Sequence, residues 1–201
     1  MEKFKGIITA LITPFSDGNY ISNQDIINQI RYLKSYNIEN IFVCGSYGAF
    51  PLMSWEERKD VARIAIEEAH AQKMKCIVHI GSTSLDETVS LARDAQHFRA
   101  DAVSAVVPYY YSKTFYNEDI YLDYFQTLID SVDIDVHLYN NPKTTGFNVT
   151  PSFLDKLINI GLKGIKDGGS DASAMLEKLD VVSYKDFSYY PSSTSSLVTG
   201  F

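Results

Sequence analysis

Thiols are scarce in this 201-residue chain: Cys44 and Cys76 are its two cysteines, and neither belongs to a CxxC or stands at metal-like spacing from a histidine. Each lies within a β-like apolar run, IFVCG and KCIVHIG. That pattern disfavours a disulfide framework or a zinc site and leaves buried free thiols in a reducing compartment as the expectation. Long hydrophobic runs are lacking too. No stretch approaches the ~18 apolar residues of a membrane span. The opening MEKFKGIITALITPF is ended early by Pro14 and Asp17, with no small-residue cleavage site after it. It reads as a first strand rather than a signal peptide, so a soluble, cytoplasmic protein is expected. Positive charge is in deficit, with a net charge of -7 and a pI near 5.0, which disfavours a nucleic-acid partner. An anionic small substrate stays compatible, because helix N-termini supply local positive potential. The four histidines do not cluster and form neither HxH nor HExxH, so metal catalysis has no support.

What is present is an alternation. Apolar, strand-like runs occupy Gly6–Thr13, Asn40–Gly45, Lys75–Gly81, Ala102–Pro108, Asp135–Tyr139, Leu162–Lys166 and Phe187–Tyr190. Such near-continuous runs suit parallel strands covered on both faces. Helix-period stripes lie between them: Ile26, Ile27, Ile30 and Leu33; Val61, Ile64, Ala65 and Ala69; Val89, Leu91, Ala92 and Ala95; Phe153, Leu154 and Leu157. Ser54 and Glu57 have capping-box spacing, and Thr150-Pro151 suits a helix start. Seven strands with six intervening helices predict repeated βαβ units. An open doubly wound sheet would show GxGxxG after its first strand, where this chain has TPFSDG. Polar and aromatic residues recur at the C-terminal ends of most strands, as they do at the mouth of a closed barrel. The expected fold is therefore an α/β (β/α)8 TIM barrel in a single domain over 1–201. It is incomplete: a full barrel takes ~250 residues, residues 195–201 only open a seventh helix, and the eighth βα unit is missing.

Several strand-end residues could carry chemistry. Lys166 closes the run Leu162-Lys163-Gly164-Ile165. Burial there would strip its solvation, lower its pKa and expose a nucleophilic amine. The competing reading is a lysine that snorkels to the rim. Tyr139 could shuttle a proton, or simply be an aromatic with its hydroxyl wet. Ser46, in Gly45-Ser46-Tyr47-Gly48, could hold a carboxylate with adjacent backbone N–H groups, although most such turns are structural. Of Tyr109, Tyr110 and Tyr111, at least one must point into the mouth or a partner.

Taken in order, five motifs resemble the dihydrodipicolinate synthase and N-acetylneuraminate lyase family. They are GIITALITPF, Gly45-Ser46-Tyr47-Gly48, Pro108-Tyr109-Tyr110-Tyr111, Tyr139-Asn140-Asn141-Pro142 with Gly146, and Gly164-Ile165-Lys166-Asp167. The resemblance implies a class I aldolase in which Lys166 forms a Schiff base with a 2-keto acid, commonly pyruvate, and no separate cofactor or metal takes part. It implies that Tyr139 relays the proton and that Tyr110 reaches a neighbouring subunit of a homo-oligomer, a tetramer in this family. Ser46 and Tyr47 would contact the keto-acid carboxylate, and Gly168 would line the substrate. The synthase branch's arginine before the Thr/Ser-Gly falls on Thr144, which favours the lyase and sugar-acid aldolase branches. Cleavage of a sialic-acid-like or 2-keto-3-deoxy sugar acid to pyruvate and an aldehyde is the expected reaction.

The chain also departs from the family pattern. The glutamate after GxxG is Ala49, the stretch after Lys166 is Gly168-Gly169-Ser170-Asp171, and the lyase branch's Gly-x-Asp-Glu falls on Ser192-Ser193-Thr194-Ser195. A dihydrodipicolinate synthase-type condensation and a catalytically degenerate, truncated member are the alternatives.

Overall fold

Apolar runs become strands at each of the seven expected places. The computed structural model of the protein describes residues 4–17, 20–111 and 117–193. The strands are β1 (Ile8–Ala10), β2 (Asn40–Val43), β3 (Lys75–His79), β4 (Ala102–Ala105), β5 (Asp135–Asn140), β6 (Gly164–Asp167) and β7 (Ser188–Pro191). The helices between them are α1 (Asn23–Ser35), α2 (Trp55–Ala71), α3 (Leu85–His97), α4 (Glu118–Asp130), the single turn α5 (Pro142–Thr145), α6 (Pro151–Asn159) and α7 (Ala172–Val182). The strands lie in one sheet in chain order, β1 to β7. A doubly wound sheet reverses its order at a switch point, so this order is that of an incomplete (β/α)8 barrel. The expected helix start at 195–201 lies outside the described residues. No helix among the described residues is long and apolar enough to cross a membrane.

Caps and stripes explain where the helices begin and what they bury. At α2, the Ser54 side chain accepts from Glu57 N while the Glu57 carboxylate accepts from Ser54 N at 2.7 Å, completing the capping box. Thr150 caps α6, and Pro151 opens its first turn. All seven strands differ in extent from the expectation, by one to three residues at an end. β1 is shorter because Gly6 has φ +74° and Pro14 approaches, although Leu11 N still donates to Phe42 O at 2.9 Å. Val106 and Val107 are buried beyond the ladder of β4, and β7 sits one residue later than read.

The chain divides into two compact units, Met1–Ile80 with Val89–Val103, and Gly81–Thr88 with Ser104–Phe201. In the first, β1, β2 and β3 pair in parallel, and Ile26, Ile30, Ile41, Val43, Ala65 and Ile77 form its core. In the second, β5, β6 and β7 pair in parallel over Phe125, Leu128, Leu138, Phe153, Leu157 and Ile165.

Candidate active site

Strand alternation decides what β6 presents. Gly164 and Lys166 share one face, and Ile165 and Asp167 take the other. The register aligns Lys166 with Tyr139 of β5 on one side and Tyr190 of β7 on the other. Lys166 is 7% exposed, and its Nζ lies 4.3 Å from the centre of the Tyr139 ring. Burial lowers the Lys166 amine to about 8. On the order of a tenth of it is therefore neutral at pH 7. A lysine held this deep does not snorkel to the rim. The Tyr139 hydroxyl accepts from Asn141 Nδ2 at 3.3 Å.

One row deeper on the same face, His137 aligns with Gly164. Its Nδ1 lies 2.9 Å from the Tyr190 hydroxyl. Burial depresses the imidazole to about 3, so it is neutral at working pH, and burial also pushes the Tyr190 phenol up. Room for this pair comes from Gly164: a Cβ there would stand 2.8 Å from the His137 ring.

The opposite face carries a hydrogen-bond hub that the sequence reading missed. Asp167 Oδ2 accepts from Lys178 Nζ of α7 at 2.8 Å and from the Tyr189 hydroxyl of β7 at 2.5 Å. Its Oδ1 accepts from Asn140 Nδ2 of β5 at 2.7 Å and from Gly169 N at 2.9 Å. Burial raises the Asp167 carboxyl, but the Lys178 and Tyr189 hydrogen bonds and the Lys178 charge outweigh it and hold the group below the usual carboxylate range. Asn140 passes the connection on, accepting from Val149 N at 3.2 Å and donating to Asn148 Oδ1 at 2.9 Å. A signal for Lys178 did exist. It falls on the buried stripe of α7 with Met175 and Val182, where a lysine needs a partner.

Gly168 follows directly. Its N–H donates to Asn140 O at 2.8 Å, and a Cβ would stand 2.9 Å from that oxygen, so the turn admits only glycine without a shift. Tyr110 is 76% exposed and packs edge-on against Tyr111, with ring centres 5.1 Å apart. Lys166, Tyr139, Gly168 and Tyr110 all belong to the second unit, whereas Ser46 and Tyr47 belong to the first. There, Ala49 N donates to Ser46 O at 3.1 Å and Thr13 Oγ1 to Gly48 O at 2.6 Å, and Ser46 and Tyr47 are exposed. Among the described residues, no group of three or more His, Cys, Asp or Glu side chains is placed to hold a metal ion.

Residues 3–194 match the Dihydrodipicolinate synthetase family. The chain belongs to that family. It is 34% identical over 185 residues to a 4-hydroxy-tetrahydrodipicolinate synthase of Clostridium perfringens, covering 89% of this chain and 60% of that protein. It is 31% identical over 176 residues to an N-acetylneuraminate lyase of Enterobacter sp., covering 87% of this chain and 58% of that protein. A crystal structure of a prophage family protein from E. coli K12, in complex with pyruvate, superposes with a TM-score of 0.88 at 29% identity. That match covers 94% of this chain and 63% of the other. This member of the family thus spans about 60% of the length of the curated relatives it matches.

Proposed function

We propose that this chain carries the Schiff-base machinery of a pyruvate-dependent aldolase. The observation that carries the reading is a buried lysine amine lowered to about 8 and set against the Tyr139 ring. The neutral Lys166 amine attacks the C2 carbonyl of a 2-keto acid, water leaves, and the iminium takes up the electron pair released when the C3–C4 bond breaks. An aldehyde departs. The resulting enamine is protonated at C3, and hydrolysis returns pyruvate and the amine. Tyr139 relays the proton, and Gly168 lines the substrate. The lysine itself is the covalent group, so the reaction needs no separate cofactor.

The substrate we assign is a sialic-acid-like or 2-keto-3-deoxy sugar acid. Thr144 supports it by standing where a planar arginine clamp would hold a second carboxylate. A synthase-type condensation is the second reading, favoured by the 34% identity to the Clostridium perfringens enzyme. The exposed Tyr110 fits a homo-oligomer in which it reaches a neighbouring copy, and the two unpaired thiols fit a cytoplasmic setting. The test is borohydride reduction in the presence of pyruvate, followed by peptide mass analysis. A reduced pyruvyl adduct is expected on Lys166 and none in Lys166→Ala. No adduct in the wild type, or an unchanged yield in the variant, overturns the reading. Release of pyruvate from N-acetylneuraminate then separates cleavage from condensation.

A further inference from the structure

Asp167 follows Lys166 in the chain, so their Cα atoms stand ~3.8 Å apart while their side chains leave opposite faces of β6. A carboxylate so near would favour the protonated ammonium and oppose attack by the amine. The structure places a buried cation on that carboxylate. Lys178 Nζ lies 2.8 Å from Asp167 Oδ2, with both side chains almost wholly out of solvent, 2% and 4% exposed. We propose that Lys178 is a positioning residue for the Lys166 site, whose task is to cancel the Asp167 charge on the far face of the same strand. This rests on the Schiff-base reading above and names how its nucleophile is kept neutral.

The surrounding groups are consistent with this division of labour. Tyr139 and His137 of β5 and Tyr190 of β7 share the face of Lys166, and the buried imidazole carries no charge. Asn140 of β5, Tyr189 of β7 and Lys178 of α7 meet Asp167 on the other face. Asn140, Tyr189 and the Gly169 N–H also donate to Asp167 and favour its ionised form. Lys178 is thus the cation that balances it. With the pair charge-neutral, the lowering of the Lys166 amine by burial is not opposed by the Asp167 carboxylate. An uncompensated carboxylate on the order of 10 Å away, at an effective dielectric of ~20, raises an ammonium pKa by about one unit.

The experiment is the pH dependence of borohydride-trapped pyruvate adduct on Lys166 in the wild type, Lys178→Met, Lys178→Arg and Asp167→Asn/Lys178→Met. The expected midpoint moves up by about one pH unit in Lys178→Met, stays put in Lys178→Arg, and returns to the wild-type value in the double variant. Lost packing alone would lower adduct yield at every pH without moving the midpoint. A Lys178→Met midpoint equal to the wild type's, with adduct still formed, overturns the proposal. If Lys178→Met does not fold, the double variant decides. A midpoint at the wild-type value supports the proposal, and a displacement of a unit or more overturns it. A wild type without adduct would instead bring down the Schiff-base reading beneath it, and this proposal with it.

Discussion

Gly164→Ala tests whether the floor beneath Lys166 is built as described. The backbone of Gly164 does not require glycine, since its φ lies outside the left-handed region that the chain's positive-φ glycines occupy. The obstacle is space: the added methyl would meet three atoms of the His137 ring, each at 2.8 Å. His137 is 1% exposed and tied to the Tyr190 hydroxyl, so it has little freedom to retreat. Overpacking of this kind costs about 1–3 kcal/mol. The alanine also restricts the unfolded chain, which offsets roughly 0.4–1 kcal/mol. A net loss of about 1–2 kcal/mol is expected, and urea unfolding should show it as a midpoint roughly 0.5–1 M lower with an unchanged slope. The cost should vanish in a His137→Ala background, where the methyl has room. If Gly164→Ala unfolds at the wild-type midpoint, or loses as much with His137 removed as with it present, the steric reasoning is wrong.

His137 supplies a pH prediction of definite sign. Its folded pKa of about 3 lies below the unfolded value near 6.5, so the unfolded chain binds more protons between the two. The contribution is complete above pH ~6.5 and is lost as pH falls towards 3, amounting to about 2 kcal/mol by pH 5. Unfolding free energies from urea titrations at pH 7 and pH 5 should differ by that much in the wild type and by far less in His137→Gln; equal slopes against pH in the two proteins would refute the assignment. Thiol accessibility gives another check. Cys44 and Cys76 are buried, and burial pushes both thiols up, Cys44 to about 11. A disulfide reagent at neutral pH should release no rapid colour from the native chain and two equivalents per chain in denaturant, and rapid native reaction would contradict the burial of both.

The βα alternation was legible because strands covered on both faces read as apolar runs, and because Ser54 and Thr150 mark helix starts by their own chemistry. Lys166 was legible for a related reason: a lysine at the end of such a run must lose water. Its partners on the far face were not. Asp167 and Lys178 are brought together by the way α7 folds back on β6, and a lysine in a helix reads by default as a solvent-facing residue. Only the stripe shared with Met175 and Val182 betrays it. The His137–Tyr190 contact was hidden for another reason. It crosses an intervening strand and exists because Gly164 has no side chain to block it, a fact about empty space that no local pattern records.

The order of the strands also bears on how the chain can be made. Ile8 finds Asn40, Asn40 finds Lys75, and Gly164 finds Ser188, so each strand pairs with the one synthesised just before it. During synthesis the N-terminal end of the chain is available to fold first. Here that direction agrees with the direction in which the sheet grows. Each new βα unit emerges after the strand it pairs with, and β6, with Lys166 and Asp167 on its two faces, gains Lys178, Tyr189 and Tyr190 only once α7 and β7 have followed it out.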